Sequence, residues 1–167
     1  MKNNIEMNPN PLVQYLNKLP QDFTKADLIK YIEDNNIEMV NFRYVGWDSR
    51  LKTLNFIIND KEHLDTLLSS GERVDGSSIF AFVEAGSSDL YVIPRYKTAF
   101  LNPFSEIPSL DILCSYYNKD GEPLVSSPEN ILRKSHEVLK EKTGLTFEVM
   151  GELEYYLICE KDMLFEA

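Results

Sequence analysis

The chain has 167 residues, enough for one or two small domains, and 43% hydrophobic against 26% charged residues is the balance of a packed core inside a solvated surface. Its formal net charge of -10 repels the phosphates of nucleic acid and the headgroups of an anionic membrane, so neither is expected as a partner, whereas cations are attracted. No run of about 18 apolar residues offers a transmembrane helix, and the polar, Asn-rich stretch from Met1 to Pro11 lacks the apolar centre of a signal peptide.

The first residues, 1–23, read as a flexible N-terminal segment. Thr24-Lys25-Ala26-Asp27 has the form of a capping box with Asp in place of Glu. A short helix follows it, with Leu28, Ile29 and Ile32 turned inward and Asn35-Asn36 at its end. Val40, Phe42 and Tyr44 then alternate with Asn41 and Arg43, which is strand period. Gly46-Trp47-Asp48-Ser49 is a turn, and Leu51 to Ile58 returns as the second strand of a hairpin.

Lys61 to Ser69 carries Leu64, Leu67 and Leu68 on one helical face, with Gly71 as its stop. A loop of small residues follows, Val74 through Ile79, and then short strands at Leu90 to Pro94 and Thr98 to Leu101. Helix, hairpin, helix and further strands make an α+β unit that is expected to end at residue 104. Two prolines, Pro103 and Pro108, mark a linker.

A second unit, 105–167, is expected to open with a strand from Leu110 to Tyr117 and a turn at Asn118-Lys119-Asp120-Gly121. Ser127-Pro128 starts a helix whose apolar face is Ile131, Leu132, Ser135, Val138 and Leu139, and Gly144 ends it. A long strand from Leu145 to Cys159 comes last. A strand–helix–strand that stops at Ala167 leaves a sheet unfinished, which suggests a truncated domain with an uncovered apolar face. Cys114 and Cys159 sit in apolar segments without metal-ligand spacing. They read as buried thiols in a reducing compartment, and the expected location is cytoplasmic.

Two places carry residues suited to chemistry. In Gly151-Glu152-Leu153-Glu154-Tyr155-Tyr156, strand alternation turns Glu152 and Glu154 to one face, with Cβ atoms roughly 7 Å apart. Phe147, Val149, Leu153, Tyr155 and Leu157 take the other. The pair suits two neighbouring divalent cations, which prefer hard oxygen ligands, or else an ordinary solvated strand face that includes Glu148. In Asp75-Gly76-Ser77-Ser78, Gly76 permits a tight turn that gathers a carboxylate and two hydroxyls around a small cation, or else a plain polar turn. His63 and His136 read as solvent-facing helical residues. No Ser–His–Asp set, Gly-rich phosphate loop or Cys/His cluster is present.

Taken in series, these segments resemble glutamine synthetase. Val74-Asp75-Gly76-Ser77-Ser78-Ile79, then Ser88-Asp89-Leu90 and Pro94 through Thr98, resemble the family's Asp-Gly-Ser-Ser-Ile block, its Ser-Asp-Met, and its proline and threonine. Gly151 to Tyr156 resembles its Gly-x-Glu-x-Glu-Phe strand, and the Ser-Pro helix lies between as it does there. The family usually has Gly two positions after the Ile, where Ala81 stands here, and an aspartate after the proline, where Arg95 stands here.

Beyond the flexible segment 1–23, the resemblance implies a β-grasp domain over 24–104 and the truncated beginning of the catalytic domain over 105–167, an α+β chain. It implies ATP-dependent ligation of ammonia to L-glutamate through γ-glutamyl phosphate, with Mg²⁺ or Mn²⁺, in a homo-oligomeric ring where a loop from one subunit completes its neighbour's site. By the same resemblance Glu152 and Glu154 are metal ligands. Asp75 attracts ammonium and takes its proton, and Ser78 lies beside it in the substrate site. The remaining ligands and phosphate-binding arginines of the family lie beyond Ala167, so this chain alone is expected to be inactive. Ligation to an amine, and a non-catalytic assembly or binding module, are the competing expectations.

Overall fold

A computed structural model of the chain describes residues 4–83 and 88–158. Helix α1, Pro11–Leu16, starts on Asn10, whose side-chain oxygen accepts from the Leu12 amide, and stops where Asn17 turns left-handed. A 3-10 turn, Pro20–Asp22, leads to α2, Lys25–Asp34. The capping box is formed: Thr24 accepts from the Asp27 amide while Asp27 accepts from the Thr24 amide at 2.9 Å. Part of the segment 1–23 is therefore not the flexible tail expected of it. Leu12 and Val13 are fully buried, and burying a side chain of that size is worth about 2 kcal/mol, which holds this stretch against the core.

Strand β1, Met39–Val45, pairs antiparallel with β2, Leu51–Ile57. Helix α3, Lys61–Ser70, begins on the Asp60 cap and ends at Gly71. Gly71 has φ +66°, and a Cβ there would lie 2.1 Å from the Val92 carbonyl oxygen, so only glycine fits. Beyond it lie β3, Glu72–Asp75, and a single helical turn α4, Gly76–Ile79, where the sequence suggested only a loop. Strand β4, Asp89–Pro94, a 3-10 turn Tyr96–Thr98, and β5, Phe100–Leu101, precede β6, Ser109–Asn118.

The strands form one sheet in the order β2-β1-β6-β4-β3, with β5 also paired to β6. All pairings are antiparallel except β1 with β6, which run parallel. Here the expected domain boundary after residue 104 fails. Ser109–Asn118 does not open a second domain but fills the centre of the first sheet, with Phe42 facing Ile112. The parallel pair β1 and β6 is joined by the long crossover of residues 46–108, since parallel strands cannot be joined by a tight turn, while the Pro-containing segment 102–108 only turns the chain from β5 back along β6.

Alternation divides the sheet's faces. Val40, Phe42, Leu90, Val92, Leu110, Ile112 and Tyr116 belong to the core together with Leu28 and Ile32 of α2 and Leu64 and Leu68 of α3. Tyr116 packs edge-on to Phe80 at 4.9 Å and to Tyr44 at 5.8 Å between ring centres, and its hydroxyl donates to the Val45 carbonyl at 3.0 Å. On the opposite face Asn41 and Asp111 sit level across the parallel pair and are nonetheless buried.

The chain separates into two units, Met1–Arg133 and Lys134–Ala167. Helix α5, Pro128–Thr143, begins at Ser127 as the sequence suggests and ends at Gly144, which has φ +73°. Its expected inner face is open: Ile131, Leu132 and Val138 are all exposed. The strand expected from Leu145 to Cys159 is absent over residues 145–158, and Cys159 lies outside the described residues. A strand's N–H and C=O groups need a neighbouring ladder, and among the described residues none pairs with this stretch. Phe147, Val149, Leu153 and Tyr155 are exposed accordingly.

Candidate functional site

Asp75 closes β3 and caps the α4 turn. Its Oδ1 accepts from the Ser77 amide at 3.0 Å and from the Ser77 hydroxyl at 2.7 Å, while Oδ2 accepts from the Ser78 hydroxyl at 2.6 Å. The Ser88 hydroxyl also bonds to this carboxylate. Hydrogen bonds to the charged form favour it. The Ser78 hydroxyl most of all, then the hydroxyl and amide of Ser77, lower the Asp75 pKa from 3.8 to about 2. The group is exposed and carries a full negative charge at neutral pH.

Backbone contacts fix the turn that presents it. The Gly76 amide donates to the Ser88 carbonyl at 2.6 Å, closing the neck of the loop. A Cβ on Gly76 would lie 2.7 Å from Leu90 Cδ1 and 2.9 Å from that carbonyl oxygen, so the approach requires glycine. From the β1–β2 turn, the Trp47 amide donates to the Ile79 carbonyl at 3.4 Å. Asp89 stands opposite Asp75 in the β3–β4 ladder. Like charges so placed repel, and Arg73, 3.4 Å from Asp89, offsets this.

Glu152 and Glu154 are both exposed, on the stretch that has no strand partner. Carboxylates are the donors that Mg²⁺ and Mn²⁺ take, but a site for either ion needs about six oxygens in a fixed arrangement. Among the described residues no three His, Cys, Asp or Glu side chains come together as a metal site. Two exposed glutamates do not amount to one.

His63 and His136, read as solvent-facing, are half-buried, and His63 Nδ1 is buried without a hydrogen-bond partner. Cys114 is a buried free thiol whose pKa is pushed up by burial, with Arg95 opposing the shift. A cleft of about 640 Å³, lined by Arg43, Asp111, Phe100 and Phe104 among others, includes none of the four residues singled out from the sequence. The sequence gathers the Ser77 and Ser78 hydroxyls with Asp75 but gives no part to the hydroxyl of Ser88. Ser88 stands thirteen residues after Asp75, outside any local turn pattern.

Comparison with known proteins places this geometry in a family. The glutamine synthetase β-grasp domain matches residues 36–119. The 3-hydroxylaminophenol mutase of Cupriavidus pinatubonensis is 31% identical over 121 residues, 72% of this chain and 25% of that protein. A glutamine synthetase of Methanococcus maripaludis is 28% identical over 138 residues, 79% of this chain and 31% of that one. The chain thus spans about a quarter to a third of the length of these relatives. The cryo-EM structure of Plasmodium falciparum glutamine synthetase superposes with a TM-score of 0.61 at 24% identity, over 72% of this chain and 23% of that one, and shares the fold. The match at 36–119 ends one residue past β6, in agreement with a sheet that contains this strand. The chain belongs to the glutamine synthetase family and carries its β-grasp domain.

Proposed function

We propose that this chain is the N-terminal part of an ATP-dependent glutamate–ammonia ligase that works through γ-glutamyl phosphate, and that Asp75 receives the nitrogen nucleophile as its cation. The observation that supports this reading is the exposed, permanently charged Asp75 carboxylate, mounted on a turn that Gly76 and Ser88 hold rigid. A fixed anion concentrates ammonium. A carboxylate titrating at about 2 is a weak base toward ammonium, so its first task is to hold the cation. Ammonium has no lone pair, so it must pass a proton to Asp75 before the nitrogen can attack.

In this reading ATP, L-glutamate and ammonia meet in a homo-oligomeric, cytoplasmic assembly, with the Asp75 loop lent to a neighbouring copy and Ser78 at the edge of the substrate site. Glu152 and Glu154 each supply one carboxylate toward Mg²⁺ or Mn²⁺, the other ligands coming from outside residues 1–167. The 167-residue chain by itself is inactive for the same reason.

The test is a phosphate-release assay with ATP, glutamate and either ammonia or a primary amine. The isolated chain is expected to release none. Grafted in place of the matching region of the Methanococcus maripaludis enzyme, it is expected to support ammonia-dependent release that Asp75→Asn abolishes. Steady release by the isolated chain would refute the need for further residues. An assembled graft that prefers the amine favours the amine ligase, and one that stays active with Asp75→Asn favours the non-catalytic module.

A further inference from the structure

We propose that Ser77 is a positioning residue for Asp75: by donating twice to one carboxylate oxygen it holds the group in one orientation toward a cationic N–H donor. This rests on the reading of Asp75 as the receiver of the nitrogen cation, and specifies how the loop recognises it. Both Ser77 donors, amide and hydroxyl, end on Oδ1, leaving the Ser78 hydroxyl to Oδ2.

A serine hydroxyl has one proton and two lone pairs. Ser77 and Ser78 have each committed that proton to Asp75, so their oxygens act only as acceptors toward an arriving ligand. An anion or a carbonyl group finds no hydroxyl donor there. Ammonium or a protonated amine finds three neighbouring oxygen centres. Without the Ser77 hydroxyl, Oδ1 loses one of the two donors that Ser77 supplies, the Ser78 and Ser88 hydroxyls remaining on the carboxylate, and the group is freer to turn about its terminal torsion. The charged groups nearest along the ladder do not supply this restraint: Asp89, opposite Asp75, is engaged by Arg73.

The test uses the 167-residue chain, with carbon-detected NMR on the Asp75 carboxyl. The wild-type midpoint is expected at about 2. Ser77→Ala is expected to raise it by about one pH unit, and Ser77→Thr, which keeps the hydroxyl, to restore it. Ammonium chloride should shift the Asp75 and Ser78 side-chain signals in wild type and Ser77→Thr. Tetramethylammonium chloride at equal ionic strength, which lacks N–H donors, should not. Ser77→Ala should weaken the ammonium response several-fold. A Ser77→Ala chain with the wild-type midpoint and response overturns the positioning role. A midpoint that moves with Ser77 while even the wild type ignores ammonium leaves the positioning intact and sinks the cation-receiving reading. Should Ser77→Ala unfold the turn, Ser77→Cys, a weaker donor, is expected to give a midpoint between those of wild type and a chain lacking the bond.

Discussion

Arg43 and Asp111, far apart in the chain, meet on the polar face of the sheet: the guanidinium donates to one carboxylate oxygen through Nε at 2.7 Å and through its terminal nitrogen at 2.6 Å. Asn41 donates to the other oxygen at 2.7 Å and Asn102 reaches both at 3.3 Å. Asp111 is 1% exposed, so its charge depends on these donors. Removing Asp111 takes the acceptor from the buried Asn41 amide and from the half-buried Arg43 guanidinium at once. Asp111→Ala is expected to cost about 3 kcal/mol, read as a lower urea midpoint with an unchanged slope. A midpoint equal to wild type would show that the network contributes nothing net.

Gly76 makes a second, independent prediction. Its missing side chain lets β3 and β4 close on the Ser88 carbonyl, which is backbone and cannot swing aside. Gly76→Ala is expected to destabilise by about 1–3 kcal/mol through forced displacement. It should also speed amide exchange at Gly76 and Ser77 more than at the β1–β6 amides. Uniform exchange rates across the sheet would argue that the neck does not depend on this contact.

The acid response of the loop follows from the depressed value of Asp75. Its folded pKa, about 2, lies below the ordinary 3.8, so its hydrogen bonds stabilise the turn fully above the ordinary value. That contribution fades as pH falls toward 2. Asp27, Asp48 and Asp65 are lowered as well, so the comparison must be with Asp75→Asn rather than with neutral pH alone. The difference in Ser77 amide protection between the two chains is expected to be large at neutral pH and to shrink between about pH 4 and pH 2. A difference that stays constant over that window would mean that charge is not what the serines hold.

Apolar side chains on residues 145–158 and along α5 stand in solvent: Leu153, Leu157, Val149 and Leu132 are all exposed. Surfaces of this kind attract dyes and one another. The chain is expected to bind a hydrophobic dye and to sediment as a concentration-dependent mixture, and Leu153→Lys with Leu157→Lys should reduce both. A monodisperse monomer without dye binding would count against an interacting surface there.

Much of the local structure was written in short stretches of residues. Thr24 with Asp27 ahead of α2 and Ser127-Pro128 ahead of α5 mark helix starts through contacts within one turn, so the residue types alone announce them. The alternation of Val40, Phe42 and Tyr44 marked a strand for the same reason. The Asp-Gly-Ser-Ser turn was legible as a resemblance, and with it the family. Helix α1 carries a start signal of the same kind, Asn10 ahead of Pro11, but lies in a polar stretch of few turns whose hold on the fold is the burial of Leu12 and Val13.

The choice of partner lay outside any such stretch. Alternation identified Leu110 to Tyr117 as a strand without saying that it runs parallel beside β1. That is set by the long crossover of residues 46–108 and by the packing of Leu110 and Ile112 in the core with the helices. Asp111 inside that apolar run has its partner Arg43 sixty-eight residues away, which only the folded sheet brings beside it. Residues 145–158 show the converse: the strand pattern is present and no ladder accepts it among the described residues. Local sequence sets what a segment is able to become, while hydrogen-bond pairing and burial, which need residues distant in the chain, select what it is.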